Sequence, residues 1–95
     1  MASSKDYLLY VLELLRGLSG ITYKKMMGEF ILYKDGVIFG GVYDNRFLIK
    51  KTPSLLDCGL KDQIPYPGAK EMLLIDSEDD ELIAELVLKA YKDLK

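Results

Sequence analysis

The residues of this chain that could do chemistry are its lysines, tyrosines and carboxylates, because the 95 residues include no histidine and one cysteine, Cys58. Without histidine, a single chain cannot assemble a Ser-His-Asp or Cys-His nucleophile, and the commonest proton carrier near neutral pH is missing. One cysteine cannot form an internal disulfide, and the chain has no Cys and His set for zinc. We therefore expect a reducing compartment, no metal and no cofactor.

The densest group of carboxylates is the run Asp76-Ser77-Glu78-Asp79-Asp80-Glu81. A calcium-binding EF-hand loop needs glycine at its sixth position, where this run has Glu81. Acidic residues also favour the first turn of a helix, because its unpaired N–H groups carry partial positive charge. The run is therefore interpreted as the start of a helix that Ser77 caps.

Basic residues alternate with aromatic ones in the middle of the chain. Residues 16–51 hold seven Lys and Arg against three acids, although the whole chain has a net charge of −2. The candidate patch for an anionic partner consists of Lys24, Lys25, Arg46, Lys50 and Lys51. Because the chain is acidic overall, we expect weak or no binding to duplex DNA at physiological salt. An alternative is a small anionic ligand, or an enzyme, using Tyr and Lys groups beside Gly40-Gly41.

Two helices are predicted at the ends of the chain. Ser3 and Ser4 are candidate caps for a first helix that should run to about Leu18. If the rest of the fold covers one side of this helix, an apolar strip of Tyr7, Tyr10 and Leu14 stays exposed. Such a strip is typical of an interface, and we expect a two-fold homodimer through it. The second helix follows the acidic run to the C-terminus.

Between the helices, alternating residues and turn signals predict an antiparallel β-meander. Asp35-Gly36 and Asp44-Asn45 are two-residue turns that separate strands near residues 30–34, 37–43 and 46–50. Gly40-Gly41 is a poor pair for a strand, so either another backbone approaches it or the strand bulges. Pro53 should begin a short helical turn, and residues 70–75 a further strand. The expected fold is a single α+β domain over residues 1–95, with the meander packed against both helices.

The apolar runs are too short for a membrane span, and the N-terminus lacks the pattern of a signal peptide. The sequence therefore predicts a cytoplasmic protein that does not enter membranes.

Residues 25–50 read KMMGEFILYKDGVIFGGVYDNRFLIK. A Met-rich block ending in glycine, an Asp-Gly turn, a strand centred on Phe39 and a closing strand ending in lysine resemble the N-terminal domain of the TfoX/Sxy competence regulators. Pro65-Tyr66, Met72-Leu73 and the terminal helix resemble the remainder of that pattern. Met27 stands where the family usually has Phe, and Glu29 where it has Gly. The resemblance covers nearly the whole chain.

The resemblance implies a non-enzymatic, cytoplasmic protein-interaction module. Such a module would co-regulate transcription of competence genes together with a separate DNA-binding transcription factor. Longer members of the family carry a second domain, which this sequence does not contain. The identity of the partner is not predicted.

Overall fold

A computed structural model describes residues 3–95, which form one antiparallel sheet with helices on one of its faces. The elements in chain order are α1 (Lys5–Leu14), β1 (Ile21–Met26), β2 (Glu29–Lys34), β3 (Val37–Tyr43), β4 (Arg46–Lys50), a 3-10 helix (Pro53–Leu55), β5 (Asp62–Gln63), β6 (Met72–Ile75) and α2 (Asp80–Leu94). The strands are ordered β1-β2-β3-β4-β6-β5 across the sheet. The predicted α+β class is confirmed.

The turns of the meander lie where the sequence predicts them. Asp35 and Gly36 have φ of 49° and 83°, and Asp44 and Asn45 have φ of 51° and 55°. These left-handed values suit tight hairpins, because they match the natural twist of the paired strands. A third hairpin of the same kind, at Met27-Gly28, joins β1 to β2.

The sheet has a helix-side face and an outer face, which alternate along each strand. In β2, the buried residues Phe30, Leu32 and Lys34 point to the helices. Most of the core lies on this side, where it includes Phe39 and Phe47 from the sheet. It also includes the following residues of the helices: Leu8, Val11, Leu15, Ile83, Leu86, Val87 and Ala90.

Both explanations offered for Gly40-Gly41 hold. Leu32 pairs with Gly40 but Tyr33 pairs with Ile38, so Phe39 is an extra residue that bulges from β3 into the core. The backbone of β4 also lies so close that a Cβ atom on Gly40 would collide with the Leu48 carbonyl oxygen. Only glycine fits here without moving one strand away from the other.

Lys34 is buried at the end of β2, with its side chain 8% exposed. Its ammonium donates to the Ser19 carbonyl oxygen at 2.7 Å and to Asp35 Oδ2 at 2.9 Å. It also lies 5.6 Å from the centre of the Tyr91 ring in α2. One buried cation therefore connects the α1–β1 loop, the β2–β3 turn and the C-terminal helix.

The N-terminus is fixed to two hairpin tips by the carboxylate of Glu29. Glu29 Oε1 accepts from the Ser3 backbone N–H at 3.0 Å and from the Ser3 hydroxyl at 2.7 Å. The same side chain accepts the Asp44 N–H, and the Asn45 side chain accepts the Ser4 N–H. Glu29 thus has a structural role at the β1–β2 hairpin.

Two predicted helix limits are wrong. α1 ends at Leu14, well before the predicted end near Leu18, because the Leu15 N–H is shared between the Val11 and Leu12 carbonyls as the chain turns away. The cap of α2 is Asp79, whose carboxylate accepts the N–H groups of its first turn, whereas the Ser77 hydroxyl accepts the Asp79 N–H.

Among residues 3–95, no helix is long and apolar enough to cross a membrane.

Candidate functional site

The outer side of α1 is the first candidate surface. Tyr10 is 42% exposed and Leu9 is 52% exposed, whereas Tyr7 and Leu14 pack partly against the core. Of the predicted strip of Tyr7, Tyr10 and Leu14, the structure therefore leaves Tyr10 facing solvent and adds Leu9, which the sequence argument did not single out. Burial, followed by the neighbouring Tyr10, raises the pKa of the Tyr7 hydroxyl.

Carboxylates border this apolar pair along the helix. Asp6 and Glu13 are exposed, and each lies three or four residues from Leu9 and Tyr10, which places all four on one side of α1. Glu13 is 3.4 Å from Arg16, and this arginine also reaches Asp80 of α2 at 3.0 Å. The outer side of α1 is therefore an apolar centre bordered by charged side chains, with the carboxylates of Asp6 and Glu13 beside Tyr10 and with Arg16 paired to Glu13.

The five cations of the predicted anionic-partner patch lie at three separate places. Lys24 and Lys25 are exposed on β1, which forms one edge of the sheet. Arg46 begins β4, and Lys50 and Lys51 follow at its opposite end. The structure does not bring all five into one surface.

Arg46 holds the segment that follows β5 in place. Its guanidinium donates to Gln63 Oε1 at 2.7 Å and to the carbonyl oxygens of Ile64 and Pro65, each at 3.2 Å. These bonds fix the start of residues 64–71, here named the cover segment, against the outer face of the sheet. Pro65 is buried as a result. Arg46 is thus a positioning residue, with little capacity left for a ligand.

A cavity of about 470 Å³ lies between the cover segment and the strands. Ile38 and Gly40 of β3 and Lys50 of β4 contribute to its lining on the sheet side, and Tyr66 and Lys70 contribute from the cover segment. Its size falls within the range of roughly 300–1,000 Å³ that is usual for small-molecule pockets. Lys50 of the predicted patch and Gly40 of the predicted small-ligand site therefore meet here.

The charges of the cavity are not balanced. Lys51 is paired with Asp62 Oδ1 at 3.0 Å, and this hydrogen bond raises the pKa of the lysine, with Glu71 contributing to the same effect. Lys50 and Lys70 form no salt bridge with any residue between 3 and 95. Glu71 also lines the cavity, so the lining holds three lysines and one carboxylate, and the charge of Lys50 and Lys70 is only partly offset.

Two tyrosines form an aromatic wall. The rings of Tyr43 and Tyr66 have centres 6.3 Å apart and are tilted by 54°. Tyr43 is half-buried, and burial, then Tyr66 and Glu29, raise the pKa of its hydroxyl, so it is a neutral hydrogen-bond donor at physiological pH. Tyr66 is more exposed and presents its ring to the cavity opening.

Sequence reasoning missed Lys70, Tyr66 and Met72 as members of this site. They lie 16 to 22 residues after the end of β4 and reach it through the pairing of β6 with β4 and through Arg46. The sequence did contain one signal for this site, the loop Pro65-Tyr66-Pro67-Gly68. Its tyrosine lies outside the helix-side core and could therefore have indicated a surface site.

The comparisons with known proteins identify a relative. No protein-family profile matches this chain. The chain is 31% identical over 83 residues to the uncharacterized 12.7 kDa protein in the trpE 5′ region of Spirochaeta aurantia, and the match covers 85% of this chain and 72% of that protein.

Proposed function

This chain belongs to the same family as the 12.7 kDa Spirochaeta aurantia protein, and we propose that it is a TfoX-like, non-enzymatic module that modulates a transcription activator. The genes it would co-regulate are those of DNA uptake. This proposal is supported by the TfoX/Sxy resemblance of residues 25–50, which here form the β1–β4 meander, and by the absence of histidine from the sequence.

The observation that carries the proposal is the exposed apolar centre on the outer side of α1. A small domain usually keeps such groups away from water, and an apolar pair bordered by charges is typical of a protein interface. Asp6 and Glu13 on its border favour a partner that presents lysine or arginine around an apolar contact. DNA, whose backbone is anionic, is a poor partner for this side of the helix.

We also propose that two copies associate with two-fold symmetry through this surface when the activator is absent, and that the activator displaces the second copy from it. Tyr10 is suited to such a contact, because its ring can be buried while its hydroxyl stays in water. Sedimentation at micromolar concentration should show a species of twice 10.8 kDa. A monomer under these conditions would contradict the dimer.

A matched pair of variants tests the surface. Leu9→Glu combined with Tyr10→Glu should give a folded monomer, because both side chains lie outside the core. Leu88→Glu, at a site on α2 that is 39% exposed, should leave the dimer intact. Leu14→Glu is less suitable, since Leu14 packs partly against the core and its replacement would also destabilise the fold.

The regulatory role is tested in the native host. Deleting the gene should lower the transcripts of DNA-uptake genes, and the unmodified chain and the Leu88→Glu variant should restore them. The Leu9→Glu/Tyr10→Glu variant should not restore them, and it should fail to co-purify with the activator. Unchanged transcripts in the deletion strain would refute the competence role.

A further inference from the structure

The cavity under the cover segment is separate from the outer side of α1, since none of its lining residues belongs to that helix. It combines three properties that the proposed regulatory role does not use. These are an excess of positive charge, an aromatic wall and an apolar surface on the strands. Each property restricts the chemistry of an occupant.

The excess of positive charge in the cavity lining favours an anionic ligand. Lys50 and Lys70 enter the lining from β4 and from the cover segment, and no carboxylate of residues 3–95 pairs with either. The lining holds three lysines and one carboxylate, that of Glu71, and a cleft with an excess of positive charge concentrates anions. Lysine ammonium groups also bind phosphate. This is a local excess of positive charge in a chain whose net charge is −2.

The aromatic wall favours a planar group. Tyr66 presents a ring at the opening, and the hydroxyl of Tyr43 stays protonated and able to donate a hydrogen bond. Nucleic-acid bases stack on aromatic side chains, because every base has a flat π-face. A flat ring with hydrogen-bonding groups therefore fits this end of the cavity better than an aliphatic chain does.

Gly40 contributes only backbone atoms to the lining, because a side chain at this position would point to the helix side, as those of its partners Leu32 and Ile49 do. Ile38 and Met72 add an apolar surface beside it. Two hydrogen bonds from Arg46, to the carbonyl oxygens of Ile64 and Pro65, fix the start of the cover segment, so the space is preformed. A preformed site loses less entropy when a ligand binds.

We propose that this cavity binds a small planar anion of the nucleoside monophosphate class, with its ring against Tyr66 and its phosphate between Lys50 and Lys70. The ligand is a free mononucleotide, because the net charge of −2 disfavours a long polyanion and the cavity has room for only a small molecule. Binding requires no covalent step. The cavity would make the module responsive to a metabolite.

The experiment is a titration followed by the amide resonances of the ¹⁵N-labelled chain. Four ribonucleoside monophosphates, adenosine alone and inorganic phosphate alone are compared at low and at physiological salt. At least one monophosphate should bind about ten-fold more tightly than either adenosine or phosphate, and the amide of Gly40 and those of residues 64–71 should shift. Phosphate that binds as tightly as every nucleotide, or no shift at millimolar ligand, would overturn the proposal.

Variants provide the second measurement. Lys50→Gln combined with Lys70→Gln should weaken nucleotide binding about ten-fold or more, and Tyr66→Ala should weaken nucleotide but not phosphate binding. The control is Lys24→Gln with Lys25→Gln, which removes the same charge from exposed positions on β1. If the control weakens binding as much as the cavity variant, general charge attraction explains the binding and the site is refuted. A single-stranded oligonucleotide that outcompetes every mononucleotide at physiological salt would also refute it.

Failure of this proposal can be distinguished from failure of the proposed function. The cavity variants leave α1 unchanged, so sedimentation should show the same dimer with or without nucleotide.

Discussion

Replacing Gly40 by alanine tests the register of the sheet at its most crowded point. The added methyl group would collide with the Leu48 carbonyl oxygen and would also crowd the Ile49 Cα. Both are backbone atoms of β4, which no change of side-chain rotamer can move. The collision is therefore relieved only if β3 separates locally from β4.

The expected loss follows from this geometry. Overpacking costs about 1–3 kcal/mol, and a rigid neighbour places Gly40→Ala near the upper limit. Alanine also restricts the unfolded chain, which restores about 0.4–1 kcal/mol. We therefore expect the free energy of unfolding to fall by about 2–3 kcal/mol, which lowers the Tm by roughly 10–20 °C in a domain of this size.

Urea unfolding followed by circular dichroism, together with a thermal scan, measures this loss. Gly17→Ala is the matched control, since nothing lies within 4 Å of its added Cβ and it follows α1 in a turn. Its free energy of unfolding should change by less than about 0.5 kcal/mol. If Gly40→Ala is equally mild, β3 and β4 are not as close as described and the register is wrong.

Three further predictions concern the polar groups that hold the fold together. Lys34→Met keeps a buried aliphatic side chain but removes the ammonium that donates to Asp35 and to the Ser19 carbonyl. The free energy of unfolding measured in urea should therefore fall by about 2 kcal/mol. Glu29→Gln removes the charge that holds the N-terminus, which should cost about 1–2 kcal/mol and speed hydrogen exchange at the tips of the neighbouring hairpins. The backbone N–H of Ser54 lowers the pKa of Asp93 below its ordinary 3.8, so its stabilisation is present above about pH 4 and is lost as the pH falls through the lowered pKa. Asp93→Asn should therefore show a shallower loss of stability during acid titration, and an unchanged slope would contradict the assigned hydrogen bond.

The meander could be predicted because its signals are local. Asp35-Gly36 and Asp44-Asn45 tolerate the left-handed backbone that a two-residue hairpin needs, and the apolar alternation on each side sets the faces. The limits of the helices were less predictable. Ser77 and Asp79 are both good caps, and the choice between them depends on where the chain leaves β6.

The cavity could not be predicted as a whole, because its parts are joined by contacts far apart in the sequence. Arg46 looked like a free cation for a partner, but its guanidinium fixes a segment nearly 20 residues later. β5 is a two-residue strand with no periodic signal. Lys50 and the glycine pair were recognised, whereas Lys70 reaches them only through the packing of the cover segment.

The two edge strands of the sheet both hinder aggregation by edge-to-edge pairing between molecules. β1 presents an exposed edge, and its consecutive residues Lys24 and Lys25 place an ammonium group on each face of the strand. The opposite edge, β5, is two residues long and offers little backbone for another strand to pair with. Lysines on an edge and very short edge strands are both features that hinder strand-to-strand stacking between molecules. Growth of open-ended fibrils from this sheet is therefore disfavoured while the lysines keep their charge, and chemical acetylation of Lys24 and Lys25 would remove that protection.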